Sequence, residues 1–228
     1  MSTVDVDENG NENVKVILIG NSGVGKTNLI NVSSGGSFNP IEKSTLTSSF
    51  IIIPSKVGDK QYNLQVWDTI GQEKLRALSK LFFKNSKIVI FVYDITNRES
   101  FLGLNDWLQE VKDIIGDRTI KGVVGNKIDL FMNEKVKDEE GEEYANKLNA
   151  LFRTTSAKTE PKGFTEFLQE LINEYDKKNK KKIDKNYSVK LHSNENKNNY
   201  KKKKKKRILL IAFIIFIIQK KMEKFLYG

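Results

Sequence analysis

Cysteine is absent from the 228 residues of this chain. Disulfides, cysteine-ligated zinc and thiol catalysis are thereby excluded, and a reducing compartment fits. Histidine occurs once, as His192, in a Lys- and Asn-rich stretch that offers it no partner for metal binding or proton relay. Long apolar runs are lacking too. The longest, Ile208–Ile218, has 11 residues. As a helix it would cover ~16 Å, about half of a ~30 Å hydrocarbon core, so a full membrane span is not expected. The first residues are acidic and polar, so no signal peptide is expected. Basic charge is missing where nucleic-acid binding by a fold would need it. The net charge is +10, but residues 14–175 hold 21 Lys/Arg and 21 Asp/Glu. Residues 176–228 hold 18 against 4, and residues 1–13 hold four acids and no base. The excess belongs to a tail, which argues against specific nucleic-acid recognition.

The length suits one domain with appendages. The expected division is a disordered acidic N-terminus over 1–13, a domain over 14–176, a flexible Lys/Asn-rich linker over 177–200, and a polybasic then apolar tail over 201–228. Apolar runs at Val14–Ile19, Ile88–Tyr93 and Gly122–Gly125 predict buried parallel strands. Phe50–Val57 and Tyr62–Asp68 predict a hairpin turning at Gly58-Asp59, and Pro54 places its first arm at a sheet edge. Leu151–Thr155 predicts a sixth strand. Phe164, Phe167, Leu168, Leu171, Ile172 and Tyr175 recur as one helical stripe, and Phe101, Leu104, Leu108 and Val111 make a second. Strands alternating with helices predict an α/β sheet with right-handed crossovers and its ligand at the carboxyl ends of the strands.

At the end of the first run stands Gly20-Asn21-Ser22-Gly23-Val24-Gly25-Lys26-Thr27. The glycines let backbone N–H groups curl around a polyphosphate, Lys26 supplies a point charge, the Thr27 hydroxyl can ligate Mg²⁺, and a helix N-terminus adds its positive end. Asn126-Lys127-Ile128-Asp129 follows the Gly122–Gly125 run. The Asp129 carboxylate can accept a pair of hydrogen bonds from N1–H and the exocyclic amine of guanine, a donor pair adenine lacks on that edge. Asn126 can ligate the base or tie loops together, and the Lys127 stem can lie along the ring. Ser156-Ala157-Lys158 follows the last strand and offers a backbone N–H to the guanine carbonyl. Asp68-Thr69-Ile70-Gly71-Gln72-Glu73 closes the hairpin. There Asp68 suits the water shell of Mg²⁺, Gly71 can meet the γ-phosphate, and Gln72 can orient an attacking water as a catalytic residue beside Lys26.

With these residues the chain resembles the small GTPases of the Ras superfamily over roughly residues 13–176, and within it the Rab branch. Trp67–Glu73, Thr45–Phe50, Phe82–Ser86, Tyr93–Phe101 and Trp107–Glu110 carry that likeness. The resemblance implies a P-loop NTPase small G domain: six strands, mostly parallel, one antiparallel edge strand, and helices on both faces. It implies GTP and GDP binding with Mg²⁺ on Thr27 and Thr45, Asp68 acting through a water, and Lys26 on the β/γ-phosphates. Phe38 would cross the guanine face, and Phe50, Trp67 and Phe82 would be read by effectors. An exchange factor, a GTPase-activating protein and a role in vesicle traffic follow from the same likeness, as does a monomeric state. Two positions depart from the pattern: Thr47 stands for a glycine and Ile70 for an alanine. A β-branched residue beside the γ-phosphate is bulky and stiff, so slow intrinsic hydrolysis is expected. The rival readings are a non-hydrolysing GTP-binding scaffold and a Ras-type signalling GTPase. Rabs usually carry C-terminal prenylated cysteines. Here Lys201–Arg207 and the apolar run instead predict peripheral attachment to the cytoplasmic face of an internal membrane.

Overall fold

A computed structural model of the chain describes residues 5–41, 49–68, 83–115 and 119–181. Thr45, Thr47, Ile70, Gly71, Gln72, Phe82 and the 182–228 tail lie outside the described residues. The chain divides into two units, Met1–Lys177 and Lys178–Gly228; of the second, residues 178–181 are described, as helix.

The elements follow in the order β1 (Glu12–Ile19), α1 (Lys26–Ser33), β2 (Ser49–Val57), β3 (Lys60–Asp68), β4 (Ile88–Asp94), α2 (Arg98–Leu102), α3 (Leu104–Ile115), β5 (Ile120–Asn126), a 3₁₀ turn (Ile128–Asn133), α4 (Asp138–Lys147) and β6 (Leu151–Thr155). A last helix, α5, covers residues 161–181 and opens on Pro161, whose missing N–H harms nothing at a first turn. The strands form one sheet in the order β2-β3-β1-β4-β5-β6. β2 runs antiparallel to β3 at the edge, in register from Ser49 opposite Asp68 to Val57 opposite Lys60. The other pairings are parallel.

The continuous apolar runs have a physical reason: both faces of the sheet are covered. From β1, Val14, Val16 and Leu18 enter one core with Leu29 of α1 and Phe164, Phe167, Leu168, Leu171 and Ile172 of α5. Ile17 and Ile19 enter the other with Leu104, Trp107 and Val111 of α3 and Ala145 of α4. The parallel strands thus point their carboxyl ends at one rim, where the phosphate loop leaves β1.

Two expectations need correction. The acidic leader is ordered where it is described. Val6 bridges Glu12, Asp7 accepts the amides of Asn9 and Asn11, and β1 begins at Glu12, which is 7% exposed. Its Asx turn supplies the order that hydrophobicity does not. The Phe101–Val111 stripe spans two helices, because the chain turns at Gly103; α2 is capped by Asn97, whose side chain accepts from Glu99 N and Ser100 N.

Candidate functional site

Gly20 and Gly25 bracket the phosphate loop with positive φ, 150° and 96°. A Cβ on Gly20 would strike the Val92 carbonyl, and one on Gly25 would strike Asn126 Nδ2, so both closeness and conformation demand glycine. Val24 is buried in the first core, with its carbonyl taken by Asn126. Ser22 and Gly23 lie exposed on the rim. Helix α1 begins with no side-chain cap and no acid in its first turn, a start that an anion can complete.

Lys26 is 6% exposed. Its ammonium donates to the carbonyls of Gly20 at 2.8 Å and Asn21 at 2.9 Å. Burial pushes its pKa down to about 8, with Asp68 pulling the other way. The Thr27 hydroxyl donates to Asp68 Oδ2 at 2.7 Å, joining the start of α1 to the end of β3. Two hard oxygen donors converging beside a buried lysine suit Mg²⁺, which takes few protein ligands and keeps waters and phosphate oxygens. Among the described residues no cluster of three or more His, Cys, Asp or Glu forms a metal site.

The base end is assembled from three loops. Asn126, 1% exposed, donates from Nδ2 to the Val24 carbonyl at 2.8 Å and accepts the Ala157 amide at 3.4 Å. These bonds tie the loops together, and the second Nδ2 hydrogen of the amide is left for the base. Asp129 accepts the Ser156 hydroxyl at 2.6 Å and lies 3.9 Å from the Lys158 ammonium. Ser156 Oγ in turn accepts the amides of Lys158 and Thr159, which fixes the turn. Lys127 sits in the left-handed region and donates to the Gly23 carbonyl at 2.7 Å.

Phe38 packs partly on the first core, in a segment held by the Asn28 side chain, which donates to the Asn39 carbonyl and accepts its amide. Phe50, 45% exposed, stacks on Trp67 at 4.7 Å between centroids, and Lys15 lies over the same indole. Sequence reasoning had no role for Asp94. Its carboxylate pairs with Lys127 at 2.7 Å and accepts from Thr96, fixing the base loop; the Asp-x-Thr spacing after a strand was the available signal.

Comparison with known proteins agrees with this geometry. The Ras family pattern matches residues 15–177. Ras-related protein Rab-21 of Geodia cydonium is 39% identical over 157 residues, 69% of this chain and 68% of that protein. Human Ras-related protein Rab-21 is 38% identical over 157 residues, 69% of each chain. Human Ras-related protein Rab-30 is 37% identical over 144 residues, 63% of this chain and 71% of that one. The chain belongs to the Ras family, as a GTP-hydrolysing small GTPase of the Rab branch.

Proposed function

We propose that this protein is a guanine-nucleotide switch of vesicle traffic that holds GDP or GTP with Mg²⁺ and turns GTP over slowly. The observation that supports it is that residues suited to both ends of a nucleotide gather at the carboxyl ends of the parallel strands. Buried Lys26 and the Thr27–Asp68 pair stand at one end, Asp129 on Ser156 at the other, and Asn126 fastens the two. Lys26 meets the β- and γ-phosphates, with the backbone of Asn21–Thr27 around them. Thr27 and Thr45 would hold Mg²⁺ directly and Asp68 would hold it through a water; when bound it neutralises phosphate charge. Gly71 contacts the γ-phosphate and Gln72 orients the attacking water. Asp129 reads guanine, Phe38 and the Lys127 stem flank the ring, and the Ser156–Lys158 turn gives a backbone N–H to its carbonyl.

In this reading the γ-phosphate orders two loops, and effectors read the result over Phe50, Trp67 and Phe82. An exchange factor and an activating protein set the timing. The protein acts as a monomer, held to the cytoplasmic face of a membrane by its basic and apolar tail. Among the described residues no helix is long and apolar enough to cross a membrane.

Competition binding tests the core of this. GDP should displace a labelled guanine nucleotide far better than ADP does. Asp129→Asn should move preference toward xanthine nucleotides, because an amide can donate to the carbonyl that replaces the amine. Equal affinity for adenine and guanine nucleotides would sink the reading.

A further inference from the structure

The phosphate loop has a second support, from α3. Trp107 is 1% exposed in the second core, and its Nε1–H donates to Asn21 Oδ1 at 2.9 Å. The backbone carbonyl of Asn21 receives the Lys26 ammonium. Behind the Asn21 amide stands Gly103, at the α2–α3 turn. A Cβ there would lie 2.9 Å from Asn21 Nδ2 and 3.0 Å from Oδ1.

A tryptophan fixed by packing is a donor of fixed position. The Asn21 side chain, short and pinned between that donor and Gly103, passes the position to its own carbonyl. That carbonyl is one of two oxygens that fix the end of a long, otherwise mobile lysine. We propose that Trp107 and Gly103 are positioning residues for nucleotide binding: they set Asn21, and through Asn21 they hold Lys26 where a polyphosphate meets it. The proposal rests on the guanine-nucleotide reading. Its consequence is that whatever shifts α3 changes nucleotide hold without touching the nucleotide.

The test uses the full chain and GDP carrying a fluorescent ribose label. Release rates are measured for the unaltered protein, Trp107→Phe, Gly103→Ala, Asn21→Leu, and the Trp107→Phe, Asn21→Leu pair. Indole N–H resonances are recorded alongside. The chain has two tryptophans, so the Trp107 signal is identified by its loss in Trp107→Phe. Each single variant should release GDP about tenfold faster, the scale of one buried hydrogen bond. The double variant should be no faster than the singles. Gly103→Ala separates positioning from folding. Gly103 has φ −62°, which alanine adopts readily, and the added methyl presses chiefly on the end of the Asn21 side chain, so the unfolding midpoint should change little while release quickens and the Trp107 indole signal moves. The proposal is overturned if that signal moves and release keeps its rate, or if the Trp107 and Asn21 effects multiply. Labelled GDP that fails to bind the unaltered protein would bring down the nucleotide reading and this proposal together.

Discussion

Lys26 is placed where its charge is least favoured until a ligand arrives. It is 6% exposed, and its pKa falls from 10.5 to about 8 through burial. An unfolded lysine keeps its ordinary value, so below pH 8 the folded state carries a buried charge that the unfolded state solvates freely. A shift of this size costs on the order of 3 kcal/mol. The penalty is complete below about pH 8 and lifts as pH rises from there toward the ordinary lysine value. In nucleotide-free, chelator-treated protein, Lys26→Met should therefore narrow its stability difference from the unaltered chain as pH rises from 8 to 10. The Met variant should be relatively most stable at pH 7. Urea unfolding at a series of pH values checks this; a gap that stays constant would show that Lys26 titrates normally. Asn126 and Asp94 carry a different lesson. Each bonds to protein groups and so imposes geometry on Val24, Ala157 and Lys127.

Helix α4 has almost no apolar periodicity, which is why sequence reading assigned no element there. Its legible signal was the acid run Asp138, Glu139 and Glu140 at a helix start. What holds it is contact: Ala145 is fully buried in the second core, and Gly141 lies so close that a Cβ would meet the Tyr93 hydroxyl and sit 2.6 Å from the Phe152 ring. Propensity and packing then disagree. Alanine gains roughly 1 kcal/mol over glycine in a helix interior, while overpacking a core costs ~1–3 kcal/mol. Packing should win. Gly141→Ala is expected to lower stability by about 1–2 kcal/mol in denaturant unfolding, and a stabilised variant would show that α4 can lift off the sheet. The β2–β3 hairpin is anchored differently, by polar bonds at the end of the sheet opposite the phosphate loop. Tyr62 donates to Asp176 at 2.6 Å, and Glu12 accepts Tyr175 at 2.7 Å and Lys60 at 2.6 Å. Those bonds join β1, β3 and α5, elements whose pairing no local pattern announces.

At the scale of the whole molecule, charge and chemistry are segregated. The domain over 14–175 is balanced, while the segment from 176 onward carries 18 bases against 4 acids and the 11-residue apolar run. Combined charge and burial predict a particular salt response. Screening weakens attraction to anionic lipid within about a Debye length, but burial of apolar area is untouched by salt. The full chain should therefore co-sediment with anionic vesicles and keep part of that binding in high salt. A chain ending at Lys181 should stay in the supernatant. If both chains partition alike, the tail is no anchor and membrane recruitment must come from partners.

The sequence by itself determined the chemistry. Gly20–Thr27, Asn126–Asp129 and Ser156–Lys158 are local strings whose proposed roles follow from residue type and spacing, and continuous apolar runs dictate a sheet covered on both faces. Strand existence was legible for the same reason: β4, with all seven residues buried, reads as an unbroken apolar and aromatic run from Ile88 to Tyr93. The tertiary structure decided what depends on residues far apart in the chain. Asn126 reaches Val24 across 102 positions, Trp107 reaches Asn21 across 86, and Tyr62 reaches Asp176 across 114. A side chain's partner at such separations is fixed by which strands neighbour each other and which helix covers them. Asn126 can tie the base loop to Val24 only because β5 ends beside the phosphate loop. Asp7 and Glu12 looked like a solvated leader until β1 carried them against Asn63, Lys60 and Tyr175. Local composition sets what a residue can do; the sheet order sets what it is given to do it with.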